Sequence, residues 1–492
     1  MMRSGKNRNR EYVMLGIVVA AVAVWQFVFI YFYPDSDTDA YAHFIIARDL
    51  VRNPYNFSLH WVWLPMFHYI DALFVSTGFG MQAVRIMNVA VWAAVPVLVY
   101  VYLSRKSAER MIPLTAGIIT AVFPLGILMG STAQPEPLFT LLILLFVFLF
   151  EEKKYILSSV ILSFACLMRY EAWAVLAFTF IYLVISYYKA RADKSGHNEF
   201  KVSLNILLPV LLISVWVVLR YLSDGHWFAF LHGTVKFAND ALDGSSAVRG
   251  GLFNTLYDII FYPVYVPFLF TGILVLLIPF GFRKFFSENR FLGYCGAGIL
   301  LFITASWVTK SNLGLNRHFT SIIPVYSIMI AYGINGVIRK SQSFIERRRM
   351  GQAGGSIISV KMVSAVVSLI MAFYIIMWLY IWQKDNNKYF DGRFRASSFI
   401  STLQNNTIIL NNDPMIEVFS GLDYRRFEHY WMTDSAETIT YINGRLPELN
   451  ELIVVKNSVN PFFSQGNGEL LFETTKDEKS GEKIRVYRFK KH

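Results

Sequence analysis

The chain has 492 residues, 55% of them hydrophobic and 16% charged, with a formal net charge of +12. A soluble protein of this length carries about 25% charged residues, so this composition and a mean hydropathy of +0.42 exclude an ordinary soluble enzyme. The positive charge does not indicate nucleic-acid binding, because most Lys and Arg lie in short segments on alternate sides of apolar runs, as in a polytopic membrane protein.

The N-terminal "MMRSGKNRNR" is a basic leader to an apolar stretch near twenty residues long, with no small-residue cleavage site before "YPDSD". It is read as a retained first helix rather than a signal peptide. About eleven membrane helices follow from the apolar runs, at 13–33, 84–103, 111–130, 137–150, 155–169, 171–188, 203–222, 259–280, 291–308, 319–338 and 361–383. The fourth and fifth are short, which predicts tilted or partial crossings. Cys166 and Cys295 fall inside apolar runs and are expected as inert core thiols with no disulfide.

Basic residues concentrate in the leader and in "SRKSAER", "EEKK", "KARADKSGHNEFK", "FRKFFSENR" and "RKSQSFIERRRM". These are alternate connections, so the positive-inside rule puts them and the N-terminus in the cytoplasm. An odd helix count then places the C-terminal part outside. The expected organisation is a membrane domain over 1–383 and an external soluble α/β domain over 384–492. Two large external segments, 34–83 and 223–258, interrupt the bundle. The first contains Trp61 and Trp63, which suit an interfacial helix. The second begins amphipathic and ends Gly/Ser-rich, the composition of a loop that moves. In the tail, "QKDNNKYFDGRF" reads as a polar linker. "TIILNND", "ELIVVK", "ELLFETT" and "KIRVYRF" read as strands, and "SAETITYI" as a serine-capped helix.

The chemistry-bearing residues gather on the outer face. Asp35, Asp37 and Asp39 occupy every second position after the first apolar run, and Asp39 opens the helix-like "AYAHFIIARDL". A carboxylate is stabilised and oriented there, although loop solubilisation is the plainer reading. Glu136 stands between two prolines at the start of the fourth helix. Arg317 and His318 stand at the outer end of the tenth, where an arginine either anchors lipid headgroups or pairs with phosphate. In "LMRYEAW", Arg169 and Glu171 either brace a helix turn or touch substrate. His43, four residues after Asp39, shares its helix face and is either a structural imidazole or a substrate contact; His60 and His68 flank the Trp and Pro run. Carboxylates and an arginine at the outer end of a helical bundle suit sugar transfer from a lipid-linked phosphate. The leaving phosphate needs a cation or metal, and the acceptor needs a carboxylate.

These features resemble the GT-C superfamily of integral-membrane glycosyltransferases, which use polyprenyl-phosphate sugars. The resemblance covers the layout, and "DAYAHFIIARDL" is similar to the matching segment of oligosaccharyltransferase catalytic subunits. It implies a catalytic, metal-binding role for Asp39, a second acidic position at Glu136, and donor phosphate binding by Arg317 in "NRHF". Asp37 is a further candidate ligand, and carboxylate oxygens suit Mg or Mn. No "WWDYG" motif occurs, and Asp-Thr-Asp stands where another branch has adjacent Asp-Glu. The chain matches neither branch fully, and transfer of a single sugar fits it better than transfer of a whole glycan.

The expectation is therefore an all-α GT-C bundle with a small C-terminal α/β domain, acting as an inverting glycosyltransferase. It would take a polyprenyl-phosphate sugar and a lipid, glycan or protein acceptor. It would sit in the plasma membrane, or in the ER if the source is a eukaryote. The alternatives are an oligosaccharyltransferase-like enzyme, a lipid-linked-sugar flippase and a membrane scaffold. Helix interiors nearly free of charge disfavour transport.

Overall fold

The computed structural model describes residues 5–35, 37–107, 109, 111–192, 199–243, 252–349, 360–403, 407–429, 435–449, 451–458, 468–474 and 483–491. Among them seven helices are long and apolar enough to cross a membrane, with shorter apolar helices packed between.

Helix α1 (Gly5–Phe32) runs into the acidic connection and α2 (Thr38–Arg52). A 3-10 turn (Phe57–His60) and α3 (Pro65–Ser76) complete the segment that follows α1. Trp61 and Trp63 do not lie on an interfacial helix but in the turn before α3, with Trp61 at φ 46°. Pro65 is the reason: it opens α3 and holds Leu64 extended, so the helix cannot reach back to the tryptophans.

Next come α4 (Gly80–Lys106), α5 (Met111–Ala121), α6 (Pro124–Met129), α7 (Glu136–Glu151), α8 (Tyr155–Cys166), α9 (Glu171–Ala192) and α10 (Glu199–Asp224). The single helix expected over 111–130 is broken because Pro124 has no N–H to donate and starts α6 instead. Helix α6 presses on Trp92 of α4. A Cβ on Gly126 would sit 1.8 Å from that indole, and one on Gly130 would sit 2.8 Å from the Trp92 Cβ, so only glycine permits the approach. Gln26 of α1 donates to Ile127 O at 2.8 Å and fixes the same corner. This corner positions the loop carrying Glu136.

The segment 223–258 contains α11 (Ala229–Asp243); its Gly/Ser-rich part, 244–251, lies outside the described residues. The helix expected over 259–280 is longer and segmented: α12 (Leu252–Ile260), a π turn (Phe261–Tyr265), α13 (Val266–Thr271), a 3-10 turn (Gly272–Leu277) and α14 (Ile278–Glu288). Pro263, Pro267 and Pro279 each remove a backbone donor along it. Then follow α15 (Arg290–Val308), a 3-10 turn (Asn316–Ile322), α16 (Ile323–Arg349) and α17 (Val360–Ser401). Cys166 and Cys295 are buried and free.

The expected polar linker is helical. It holds no proline and one glycine, and α17, 42 residues long, runs through it. That is about 63 Å of helix, roughly twice a ~30 Å hydrocarbon core. The last turns of α17 end in the C-terminal sheet region, where Ala396 and Ile400 are fully buried.

That part holds β1 (Ile408–Asn411), α18 (Pro414–Ser420), β2 (Phe427–His429), α19 (Ser435–Arg445), β3 (Glu451–Ser458), β4 (Glu469–Glu473) and β5 (Lys483–Lys490). The sheet order is β2-β1-β3-β5-β4; β1 is parallel to both neighbours, and β5 is antiparallel to β3 and β4. Alternation divides two cores between its faces. Ile409, Ile453, Val455 and Val486 meet α17 and α18, while Leu410, Leu452, Val454 and Tyr487 meet Ile442 of α19. Helix α18 docks on α2: Arg48 pairs with the buried Glu417 at 2.7 Å, and Tyr41 packs with Phe390 and Met415.

Candidate functional site

The spacing of the three aspartates has a local cause. Asp35 Oδ1 accepts the Asp37 N–H at 3.1 Å, and Asp37 Oδ1 accepts the Asp39 N–H at 3.0 Å as the N-cap of α2. Two successive side-chain-to-backbone turns need acceptors at every second residue. Asp35 points inward, taking the Ala133 N–H at 2.6 Å with Arg85 at 3.8 Å. Arg85 also donates to Ser131 O at 2.8 Å and Tyr33 O at 2.9 Å, and Asn88 donates to Thr132 O and Gln134 O at 2.7 Å. The loop ahead of Glu136 is thus tied to the loop ahead of Asp39.

Arg317 is presented by a bent segment. Gly314 at φ 65° lies on Trp307, its N–H is accepted by Asn312 Oδ1 at 2.8 Å, and Leu315 O accepts from Tyr262 Oη at 3.0 Å. The Arg317 guanidinium bridges Asp37 and Asp39, one terminal nitrogen to each, with its Nε 3.6 Å from Glu136 Oε1. Arg169 donates to the same Glu136 oxygen at 2.7 Å and to Glu171 at 2.6 Å. His318 Nδ1 lies 3.9 Å from Glu171. Asp37, Asp39, Glu136, Arg169, Glu171, Arg317 and His318 therefore form one network of alternating sign. Its four carboxylates and two guanidiniums leave a formal excess of two negative charges.

Exposure separates the carboxylates. The Asp39 side chain is 35% exposed and that of Glu136 only 2%, so a ligand reaches Asp39 first. Burial raises the Asp35 carboxyl to about 6 against the pull of Arg85, and it lifts Asp37 as well. At Asp39 burial acts the same way, but Arg317 outweighs it and holds the carboxyl below its ordinary range.

Asp39 and Arg317 open on a cavity of about 240 Å³. Trp61 and Trp63 form one wall, Thr234 and Phe237 of α11 another, and Asn412 and Pro414 reach it from the C-terminal sheet region.

His43 stands one turn beyond Asp39 but bonds away from it. Its Nδ1 meets His68 Nε2 at 2.7 Å, and His68 Nδ1 meets His60 Nδ1 at 2.8 Å. Burial pushes His43 and His60 down to about 3 and His68 well down, so all three rings are neutral. Each contact needs one N–H and one lone pair, which gives the chain a single direction. His60 Nε2 is buried without a partner, and an orphaned N–H costs more than an orphaned lone pair. The donors therefore run His60 to His68 to His43, leaving His43 with its proton on Nε2.

The inward role of Asp35, Arg85, the tryptophan wall, the imidazole chain and Asn412 were not predicted by the sequence. Only the Asp-x-Asp-x-Asp spacing carried a usable signal, that of paired turns. For a divalent ion, Asp37 and Asp39 are the implied ligands. No three ligating side chains converge among the described residues, but no hydrogen bond to Asp39 Oδ1 is found among them either. Magnesium often takes only one or two carboxylates and fills its shell with water and substrate phosphate, and this pair fits that form.

The architecture is the fold seen in solved GT-C membrane glycosyltransferases. It superposes on ArnT from Cupriavidus metallidurans bound to undecaprenyl phosphate with a TM-score of 0.58, 11% identity, and coverage of 97% of this chain and 98% of that one. With the apo state of the same protein the TM-score is 0.61 at 10% identity, covering 98% of each chain. With the archaeal oligosaccharyltransferase AglB from Archaeoglobus fulgidus, in complex with an inhibitory peptide and a dolichol-phosphate, it is 0.51 at 10% identity, covering 92% and 70%. At these identities the likeness is one of fold. No family model matches the sequence, and no curated protein matches it.

Proposed function

We propose that the chain is an inverting glycosyltransferase that moves one sugar from a polyprenyl-phosphate donor to an acceptor at the outer membrane face. The observation that carries this reading is the Arg317 guanidinium held between Asp37 and Asp39 at the mouth of the cavity. The acceptor is a lipid, glycan or protein group bearing a nucleophilic O–H or N–H. The alternation of basic connections supports a cytoplasmic N-terminus and an external soluble domain, with the network outside.

The acceptor oxygen or nitrogen attacks the anomeric carbon as the bond to the phosphate oxygen breaks. The electron pair leaves on the phosphate, which Arg317 neutralises, and the acceptor proton passes to Asp39. Direct displacement inverts the configuration. Arg317 cannot serve Asp39 and the phosphate equally. As it turns to the donor, Asp39 loses its counter-charge and becomes a stronger base, so donor binding prepares the acceptor side. Glu136 and Arg169 limit how far Arg317 moves; Glu171 and His318 brace Arg169. Mg or Mn held by Asp39 and Asp37 would add positive charge at the leaving phosphate. The soluble domain, through Asn412 and Pro414, helps to present the acceptor.

The test is sugar transfer by purified protein from a panel of radiolabelled polyprenyl-phosphate sugars, with and without EDTA. Transfer that falls at least 100-fold in a folded Asp39→Asn variant supports the reading, by analogy with loss of a catalytic base, about 10²–10⁴. Undiminished transfer in that variant removes Asp39 from the mechanism. The EDTA arm decides metal dependence.

A further inference from the structure

At the end of α15 opposite the acid–arginine network, α9, α14 and α15 enclose a cavity of about 450 Å³. Six polar side chains line it: Tyr182, Ser186, Arg283, Ser287, Arg290 and Tyr294. All six bear N–H or O–H groups, and none is a carboxylate. The neighbouring Lys284 is tied to Glu109 and to Glu288 at 3.7 Å. Arg283 and Arg290, by contrast, have no acidic partner among the described residues. Ile185 and Phe286 supply an apolar part of the same lining.

Two guanidiniums without counter-ions in one cavity make a place for an anion. Guanidinium forks match phosphate oxygens, and the surrounding hydroxyls suit an acceptor that takes hydrogen bonds from several directions. The cavity lies at the end of membrane-crossing helices, where a phosphate brings an acyl chain that the apolar lining can meet. Basic pockets between membrane helices bind anionic headgroups for this reason. We propose that Arg283 and Arg290 form a binding site for the phosphate of an anionic membrane lipid. The site lies about 28 Å along α15 from the network and shares no residue with it, so it stands whether or not the chain transfers sugar.

Full-length protein in detergent is titrated with phosphatidylglycerol or phosphatidylcholine and followed by native mass spectrometry. One phosphatidylglycerol is expected to bind at least tenfold more tightly than phosphatidylcholine. Arg283→Gln and Arg290→Gln should each weaken it about tenfold, as loss of a charge-assisted hydrogen bond does, and the double variant should abolish the preference. Both arginines are exposed, and an unchanged melting temperature checks the fold. Arg→Lys variants retaining part of the affinity separate fork geometry from charge. Displacement of the lipid by glycerol phosphate identifies a phosphate site that soluble esters also fill, and no displacement assigns it to lipid. Equal binding of the two lipids, or a double variant that binds as wild type does, overturns the proposal.

Discussion

Arg317 and Asp39 lie 278 positions apart in the chain and meet in a direct ion pair at the mouth of a cavity. The pair joins the start of α2 to the turn before α16, so the two ends of the membrane domain close on one another there. Asp37 takes the second terminal nitrogen of the same guanidinium. Replacing Arg317 by Lys keeps the charge but loses the fork that spans two acceptors. Transfer by Arg317→Lys should fall at least 100-fold, with most of the loss in kcat, whereas Arg317→Ala should also raise the donor KM.

Glu136 and Arg169 are expected to position Arg317 without touching the acceptor. Glu136→Gln keeps the shape and removes the charge 3.6 Å from Arg317 Nε. Transfer should fall about tenfold with the acceptor KM unchanged, the size of a lost charge-assisted contact. A change confined to the acceptor KM, read from initial rates at saturating donor, would contradict this role.

The imidazole chain makes a prediction about pH. His43 and His60 hold a folded value of about 3 against 6.5 unfolded, so above pH 6.5 both are neutral in either state. As pH falls below 6.5 the unfolded chain gains protons that the folded chain refuses, and stability drops by about 1.4 kcal/mol per pH unit for each histidine. Asp35 acts oppositely: its folded value is about 6 against 3.8, so it adds a similar slope of stabilisation as pH falls from 6 to 4. Burial raises Asp37 and Asp71 in the same sense as Asp35, so the histidine part is read in detergent melts from pH 6.5 to 4.5 as the difference in slope between wild type and a His60 variant. His60→Gln should reduce the slope by one proton whatever its effect at pH 7.

The same chain should be visible spectroscopically. ¹⁵N spectra of histidine-labelled protein should show His43 protonated on Nε2 and neutral between pH 5 and 8. A His43 that titrates near 6.5 would contradict the buried relay.

The C-terminal sheet region should respond through α2. Arg48→Ala removes the guanidinium from the buried Glu417 and leaves the His429 imidazole at 3.0 Å. Removing one partner of a buried pair costs about 3–5 kcal/mol when nothing else compensates, and the histidine reduces that. Under limited proteolysis Arg48→Ala should be cut faster than wild type in the C-terminal sheet region. Its donor KM should stay unchanged, because Arg48 lies away from the network.

Much of this was legible in the sequence because it is local. Asp37 caps α2, Glu136 opens α7 between two prolines, and the membrane helices follow from runs of apolar residues. Long-range contacts were not legible. Nothing near Asp35 announces that its carboxylate takes the N–H of Ala133, 98 positions away. Arg85 at the start of a membrane helix carries no signal beyond that of a headgroup anchor. Strand β2 has three residues, too few to show alternation. The linker's polarity reads as a break, whereas α17 needs only the absence of proline and a core at its far end.

The most direct test of the central claim is the affinity of purified protein for polyprenyl phosphate, wild type against Arg317→Ala, Asp37→Asn and Asp39→Asn. If Arg317 holds the donor phosphate and the two carboxylates compete for it, Arg317→Ala should bind at least tenfold more weakly. Both aspartate variants should bind more tightly than wild type, even as Asp39→Asn loses transfer. Equal affinity across all four proteins would show that the phosphate is held elsewhere and would contradict the account.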